Sequence, residues 1–173
     1  MPEIGHPAPS FALPDTEGRT HEPGTGSVTV VVFTCNHCPY ALAWHDRLGV
    51  VATDYADRGV RMLAINPNDA ARYPRDSVEA MRERVRQGDF DGVPYLRDES
   101  QDVAREYDAK TTPDVFVIDA KGILRYRGAP DGDYENPAQN AAYLRDALDA
   151  VLDGSDPDPA ETTPVGCSIK WRG

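Results

Sequence analysis

Residues 30–39 read Val-Val-Val-Phe-Thr-Cys-Asn-His-Cys-Pro, and this stretch decides the fold of the 173-residue chain. It continues an apolar run from Ser27 to Phe33, which predicts a strand buried on both faces. From Pro39 the apolar residues recur at three- and four-residue steps, which predicts a helix that ends near Gly59. The two cysteines therefore lie where a buried strand gives way to a helix.

The C-x-x-C spacing puts Cys38 one turn after Cys35, near enough to close a small disulfide ring. Helix N-termini offer unpaired backbone N–H groups and a positive dipole end, which together stabilise a thiolate. The thiolate is the nucleophile of disulfide exchange, and such sites lower a cysteine pKa well below its free value of about 8.5. We expect Cys35, at the mouth of the helix, to feel this effect most and to attack a substrate disulfide. Cys38 then displaces the reduced substrate.

The rest of the chain alternates strands with helices and closes with a hairpin. Asp76, followed by Glu79, is expected to cap the second helix. The Gly-bearing link 119–122 predicts an antiparallel hairpin. The order β-α-β-α-β-α-β-β-α indicates an α/β fold with a mixed central sheet flanked by helices. The later strands are expected at residues 60–65, 94–97, 114–118 and 123–127, and the last two helices at about 101–107 and 141–154.

One domain is expected over residues 1–154, because a chain of this length can bury a single proper core. Residues 7–25 read as an extended N-terminal arm with a Glu-Gly turn. Residues 155–173 form a C-terminal tail whose first half is rich in Pro and Asp and hence extended. The apolar Ile169 and Trp171 favour docking of that tail on the domain.

The net charge of −11 argues against nucleic acid or an anionic membrane as a partner, because both bind basic surfaces. No stretch approaches the ~20 apolar residues that a membrane span needs. The N-terminus has neither the basic nor the apolar region of a secretory signal, so a cytoplasmic protein is expected. Three cysteines in such a chain suggest a reactive pair and one more, and not a disulfide framework.

A strand that ends in C-x-x-C-Pro, with Thr112-Pro113 opening a late hairpin, resembles the thioredoxin-like superfamily. The arm and the extra βα unit between these motifs are similar to its AhpC/TSA-redoxin branch, over residues 5–153. The resemblance implies that Cys35 is the exposed attacking cysteine and Cys38 the recessed resolving one. It also implies a cis peptide bond before Pro113 and a Thr112 backbone that faces an incoming thiol substrate.

The residues around the pair depart from the usual thioredoxin pattern. Thr34 stands where thioredoxins usually have Trp, and Asn36-His37 replaces Gly-Pro. A histidine beside the second cysteine resembles the oxidising members of the superfamily. Because a nearby imidazolium favours a charged sulfur, His37 is expected to stabilise the thiolate. Asn36 and Pro39 are expected to support the site, and the Thr34 hydroxyl either serves the active-site loop or reflects strand propensity alone.

The sequence therefore predicts a thiol–disulfide oxidoreductase without a cofactor. Its partners would be a disulfide-containing protein or small molecule and an electron-donating thiol system. The alternative is a thiol-dependent peroxidase, an antioxidant in which Cys35 becomes a sulfenic acid that Cys38 or Cys167 resolves. Neither cysteine frame fits the Pro-x-x-x-Thr/Ser-x-x-Cys pattern of typical peroxiredoxins, which argues against that alternative.

Cys167, in the tail, has two interpretations. Cys167 is either a packed tail residue or a third exchange partner docked near the redox face. A zinc site needs four ligands, and Cys167 with His37 or His45 has irregular spacing, so no metal is expected. A copper-handling protein would resemble relatives with C-x-x-x-C-Pro, one residue longer than the spacing here. His45 is expected on the helix surface, and the Asp131 and Asp133 loop, which departs from calcium-loop spacing, is expected to be solvated.

Overall fold

The structure is a computed structural model that describes residues 2–90 and 92–173. Its strands are β1 (Leu13–Pro14), β2 (Thr20–His21), β3 (Thr29–Phe33), β4 (Arg61–Asn66), β5 (Tyr95–Arg97), β6 (Thr111–Thr112), β7 (Asp114–Ile118), β8 (Leu124–Gly128) and β9 (Cys167–Ser168). Its helices are α1 (Pro39–Ala56), α2 (Val78–Arg86), α3 (Asp102–Glu106) and α4 (Ala142–Leu152), and 3₁₀ turns lie at Pro74–Asp76 and Pro137–Gln139.

Five strands form the central sheet, in the order β5-β4-β3-β7-β8. β3 pairs in parallel with β4, and β4 with β5, because a helix crosses over between each strand and the next. β7 runs antiparallel to both β3 and β8. The predicted α/β fold, with its mixed sheet, flanking helices and closing hairpin, is confirmed.

Strand β3 lies between two apolar layers. Val30 and Val32 face the layer that α1, α2 and α4 cover, and Val31 and Phe33 face the layer that α3 covers. All five residues of β3 are buried, as its continuous apolar run predicts. Among the described residues, no helix combines the length and the hydropathy needed to cross a membrane. The end of β3, which leads into the cysteine pair, is therefore fixed by packing on both faces.

The N-terminal arm and the C-terminal tail both lie against this core. Strands β1 and β2 of the arm pair with each other as a small antiparallel hairpin. In the tail, the N–H of Thr162 donates to the carbonyl of Arg127 in β8 at 3.0 Å. Further along, β9 pairs antiparallel with β6, and Ile169 is buried in the layer that contains α3. The tail therefore contacts the domain at two separate places.

The start of α2 differs from the sequence-based expectation. Ser77 is the N-cap, and its hydroxyl accepts the N–H of Ala80 at 3.1 Å. Asp76 instead lies fully buried in the preceding 3₁₀ turn. The expected Asp76 cap was wrong because side chains distant in sequence surround this carboxylate, as described below.

The loop after β8 is exposed at Asp133, as expected, and the expectation was wrong only for Asp131. Asp131 is buried and accepts two hydrogen bonds from one nitrogen of Arg47, at 3.1 and 2.8 Å. It also accepts the N–H of Ala141 at 2.9 Å. The same guanidinium donates to the carbonyls of Asp133 and Tyr134. An ion pair therefore fastens this loop to α1.

Replacing Arg47 with Met should lower the free energy of unfolding by about 3–5 kcal/mol, because it leaves the buried Asp131 carboxylate without its counter-ion. The matched control is Arg58→Met, since Arg58 pairs with Asp149 at 3.2 Å while both side chains are about half exposed. That variant should lose at most about 1 kcal/mol. Urea denaturation of the three proteins measures both values, and equal losses in the two variants would contradict the structure.

Candidate active site

The cysteine pair lies in the loop between β3 and α1. Cys38 is the N-cap of α1, with φ −79° and ψ 124°, and Pro39 is the first helical residue. Cys35 lies three residues earlier, outside the helix. The N–H groups of the first turn are therefore nearest Cys38, and the N–H of Ala41 helps to lower its pKa. The expectation that Cys35 feels the helix N-terminus most was wrong, because the helix begins one turn later in the motif.

Both sulfurs are free thiols and neither cysteine has exposed surface. The Thr112 hydroxyl lies 3.2 Å from Cys35 Sγ, and Cys38 donates to the Thr112 carbonyl at 3.3 Å. The Thr112–Pro113 peptide bond is cis, as the resemblance implies. The implied exposure of Cys35 was wrong, because Thr112 and the tail paired with it cover the motif.

The pKa values of the two thiols are shifted in opposite directions. The hydrogen bond from Cys35 is the main cause that lowers the pKa of Cys38, to about 4. Burial opposes this shift, whereas the Cys167 thiol and backbone N–H groups lower the pKa further. The pKa of Cys35 is raised, first by its hydrogen bond to Cys38 and then by burial. Because coupled groups titrate as a unit, the pair loses one proton readily and holds the second. When the pair loses this first proton, the lowered pKa of Cys38 puts the negative charge on Cys38, which then no longer donates to the Thr112 carbonyl.

Asn36, which follows Cys35 in the loop, is held in place by four hydrogen bonds. Its N–H donates to Asp76 at 2.7 Å and its side-chain amide to the Arg75 carbonyl at 2.9 Å. Its side-chain oxygen accepts the Tyr95 hydroxyl at 2.7 Å, and its carbonyl accepts Arg84 at 2.8 Å. These hydrogen bonds hold the loop in one conformation, in which the sulfurs of Cys35 and Cys38 both contact Thr112.

Asp76 is a functional residue that the sequence analysis assigned only as a helix cap. Besides the Asn36 N–H, its carboxylate accepts the side-chain amides of Asn66 at 3.1 Å and Asn68 at 3.0 Å. His37 Nδ1 lies 2.6 Å from Asp76 Oδ2, and the imidazole stacks on Tyr73. The Asn66-Pro67-Asn68 turn after β4 was the available signal, since polar residues there reach the same sheet edge as the cysteines.

His37 therefore faces a carboxylate, and its predicted effect on the thiolate stays a prediction. One donor atom each from Cys35, His37 and Asp76 lie within 4.8 Å of one another. These three side chains could contribute to a metal site, although His37 and Asp76 are already joined to each other.

His45 and Thr34 form a buried contact next to the cysteine loop. His45 Nε2 lies 2.9 Å from the Thr34 hydroxyl, and its Nδ1 lies 3.4 Å from Asp89. The surface position expected for His45 was wrong, because Phe90 packs on its ring and only 3% of it is exposed. The Thr34 hydroxyl consequently serves His45 and not the cysteine loop.

Asp114 follows Pro113 directly and is a buried carboxyl group next to the site. Its Oδ2 accepts the N–H of Lys110 at 3.0 Å, and its Oδ1 has no partner among the described atoms. Burial raises the pKa of Asp114 to about 7. The folded chain consequently binds this proton over a pH range in which the unfolded chain, with a value of 3.8, has released it.

Asp114 should make the protein less stable as the pH rises from about 4 to about 7, by about 1.4 kcal/mol per pH unit, because the folded state holds one proton more. Asp114→Asn cannot titrate and should remove this slope. Urea denaturation across the range measures it, with Asp46→Asn as the exposed control that keeps the wild-type slope. An unchanged slope in Asp114→Asn would show that Asp114 ionises normally.

Comparison with known proteins agrees with this geometry. The AhpC/TSA family model matches residues 4–127. An uncharacterised conserved protein from Geobacillus kaustophilus superposes with a TM-score of 0.91 at 37% identity, over 99% of this chain and 94% of that one. A putative thiol:disulfide interchange protein DsbE from Chlorobium tepidum superposes with a TM-score of 0.69 at 25% identity, over 88% of this chain and 99% of that one.

A curated relative is the thiol:disulfide interchange protein DsbE of Allochromatium vinosum, 29% identical over 133 residues. The match covers 73% of this chain and 66% of that protein, just under two thirds of its length. The family model spans well over half of the chain, and the fold is thioredoxin-like. The chain belongs to the AhpC/TSA family.

Proposed function

We propose that this protein is a thiol–disulfide oxidoreductase whose Cys35 and Cys38 cycle between a dithiol and a disulfide. One observation carries the proposal: two free thiols, three residues apart at the start of α1, both contact Thr112, and the pKa of Cys38 is lowered. A thiolate is the species that attacks a disulfide, and a second thiol three residues away can resolve the product.

The exchange transfers two electrons. The thiolate attacks one sulfur of a substrate disulfide, forms a mixed disulfide and expels the other sulfur as a thiolate, which takes up a proton. The second cysteine gives up its proton, attacks the first cysteine's sulfur and releases the reduced substrate. The Cys35–Cys38 disulfide that results is reduced again by a dithiol donor. Within the pair, the lowered pKa of Cys38 favours Cys38 as the sulfur that reacts first, in place of the Cys35 that the resemblance implies.

The names of two relatives support this reaction class, since the protein from Allochromatium vinosum is named a thiol:disulfide interchange protein and the one from Chlorobium tepidum a putative one. We infer a disulfide-containing substrate and an electron-donating thiol system as partners. The cytoplasmic location stays a prediction from the sequence.

Wild-type protein should reduce insulin disulfides with dithiothreitol as the electron donor, faster than dithiothreitol alone. The double variant Cys35→Ser, Cys38→Ser should fall to the background rate, because the one thiol that remains, Cys167, cannot complete the two-electron exchange. Insulin turbidity measures the rate, and circular dichroism of the variant controls for folding. A folded wild-type protein that adds nothing to the background would disprove the proposal.

The same proteins should be tested for peroxide consumption with dithiothreitol as the reductant. We expect turnover close to that of free cysteine, because the motif lacks the peroxiredoxin pattern. Peroxide turnover far above that level, without insulin reduction, would favour the thiol-dependent peroxidase instead.

A further inference from the structure

The C-terminal tail is fastened on both sides of the cysteine pair. On one side, the Thr162 hydroxyl contacts the Tyr126 hydroxyl at 2.7 Å and accepts the N–H of Ala129 at 2.9 Å. On the other side, the N–H of Lys170 donates to Asn68 at 2.9 Å, and its carbonyl accepts Gln101 at 2.9 Å. The segment between these anchors therefore has a fixed course across the site.

That segment lies directly on the residue that contacts both sulfurs. In the β6–β9 pair, Cys167 is opposite Thr112 and Ser168 is opposite Thr111. A Cβ atom at Gly166 would overlap the Thr112 carbonyl, so only glycine permits this close approach. The tail is thus a closely packed cover over the Cys35–Cys38 pair.

The cover places a third sulfur beside the pair. The Cys167 side chain packs against the cluster of Cys35, Cys38 and Ala41. The thiols of Cys35 and Cys167 both lower the pKa of Cys38. Cys167 is partly exposed, whereas the other two cysteines have no exposed surface. Of the three sulfurs, Cys167 is the one that a large substrate can reach with the tail in place.

We propose that Cys167 is a third redox-active cysteine, which exchanges with the substrate disulfide and passes it inward as a Cys38–Cys167 disulfide. The inference rests on the proposed function and names the route by which its substrate reaches the pair. The substrate class that fits is a protein or peptide disulfide presented at the surface of the tail.

Each step of the route balances. Cys167 attacks the substrate disulfide and forms a mixed disulfide, and its proton passes to the substrate thiolate that leaves. The Cys38 thiolate then attacks Cys167 Sγ and expels the second substrate thiolate. Cys35 finally attacks Cys38 Sγ, expels Cys167 and passes it a proton. Two electrons move from the Cys35–Cys38 pair to the substrate, and Cys167 is restored as a thiol.

Cys167 is suited to a relay that rests as a thiol. Burial and the Cys38 thiolate raise the pKa of Cys167 to about 11. Cys167 consequently stays a thiol at neutral pH, packed against the cluster that contains Cys38.

The first test traps the internal disulfide. Folded Cys35→Ser protein is incubated with oxidised glutathione, quenched with acid and mapped by peptide mass spectrometry. We expect the Cys38–Cys167 disulfide to accumulate, because the step that would consume it needs Cys35. A glutathione adduct on Cys38 with Cys167 left as a free thiol would overturn the proposal.

The second test measures the route in the otherwise intact protein. Cys167→Ser should lose most of the insulin-reducing rate while still forming the Cys35–Cys38 disulfide with oxidised dithiothreitol. Ser168→Ala, the neighbouring change on the same strand, is the matched control and should keep the wild-type rate. A Cys167→Ser protein that reduces insulin as fast as wild type would refute the relay and leave the proposed function standing, whereas an inactive wild type would refute the function itself.

Discussion

The buried Asp76 carboxylate fixes the geometry on which the site depends. A carboxylate without exposed surface is stable only when hydrogen-bond donors replace water, and Asp76 receives them from Asn36, Asn66 and Asn68. These donors come from the cysteine loop and from the turn after β4. One buried group therefore ties the loop to the sheet edge and leaves His37 against the same carboxylate.

The same carboxylate helps to decide which sulfur carries charge. The hydrogen bond to Cys38 and burial raise the pKa of Cys35, and the negative charge of Asp76 raises it further. The thiols of Cys35 and Cys167 and backbone N–H groups instead lower the pKa of Cys38, which is the N-cap of α1. The first negative charge of the pair therefore forms on Cys38 and not on Cys35.

The cysteine pair and the strand and helix that flank it could be predicted from the sequence. The continuous apolar run gave β3, the change of period at Pro39 gave α1, and the spacing of Cys35 and Cys38 gave the reactive pair. Each of these depends on residues that are neighbours in the chain, where side-chain periodicity is informative.

What escaped prediction depends on contacts between distant residues. Asp76 follows a cap-like pattern, but its partners lie up to 40 residues away, at Asn36. His45 lies on α1 beside Trp44 and reads as a surface residue until Phe90 from another loop covers it. The burial of Cys35 likewise follows from tail pairing with β6, which no local pattern contains.

The most direct test of this arrangement is a titration of thiolate ultraviolet absorbance in the reduced protein, compared with Cys38→Ser. We expect one thiolate to form with an apparent pKa of about 4 and to be absent near neutral pH from the Cys38→Ser variant. A wild-type protein that forms no thiolate until about pH 8.5, the value of free cysteine, would contradict a Cys38 thiolate held by its neighbours.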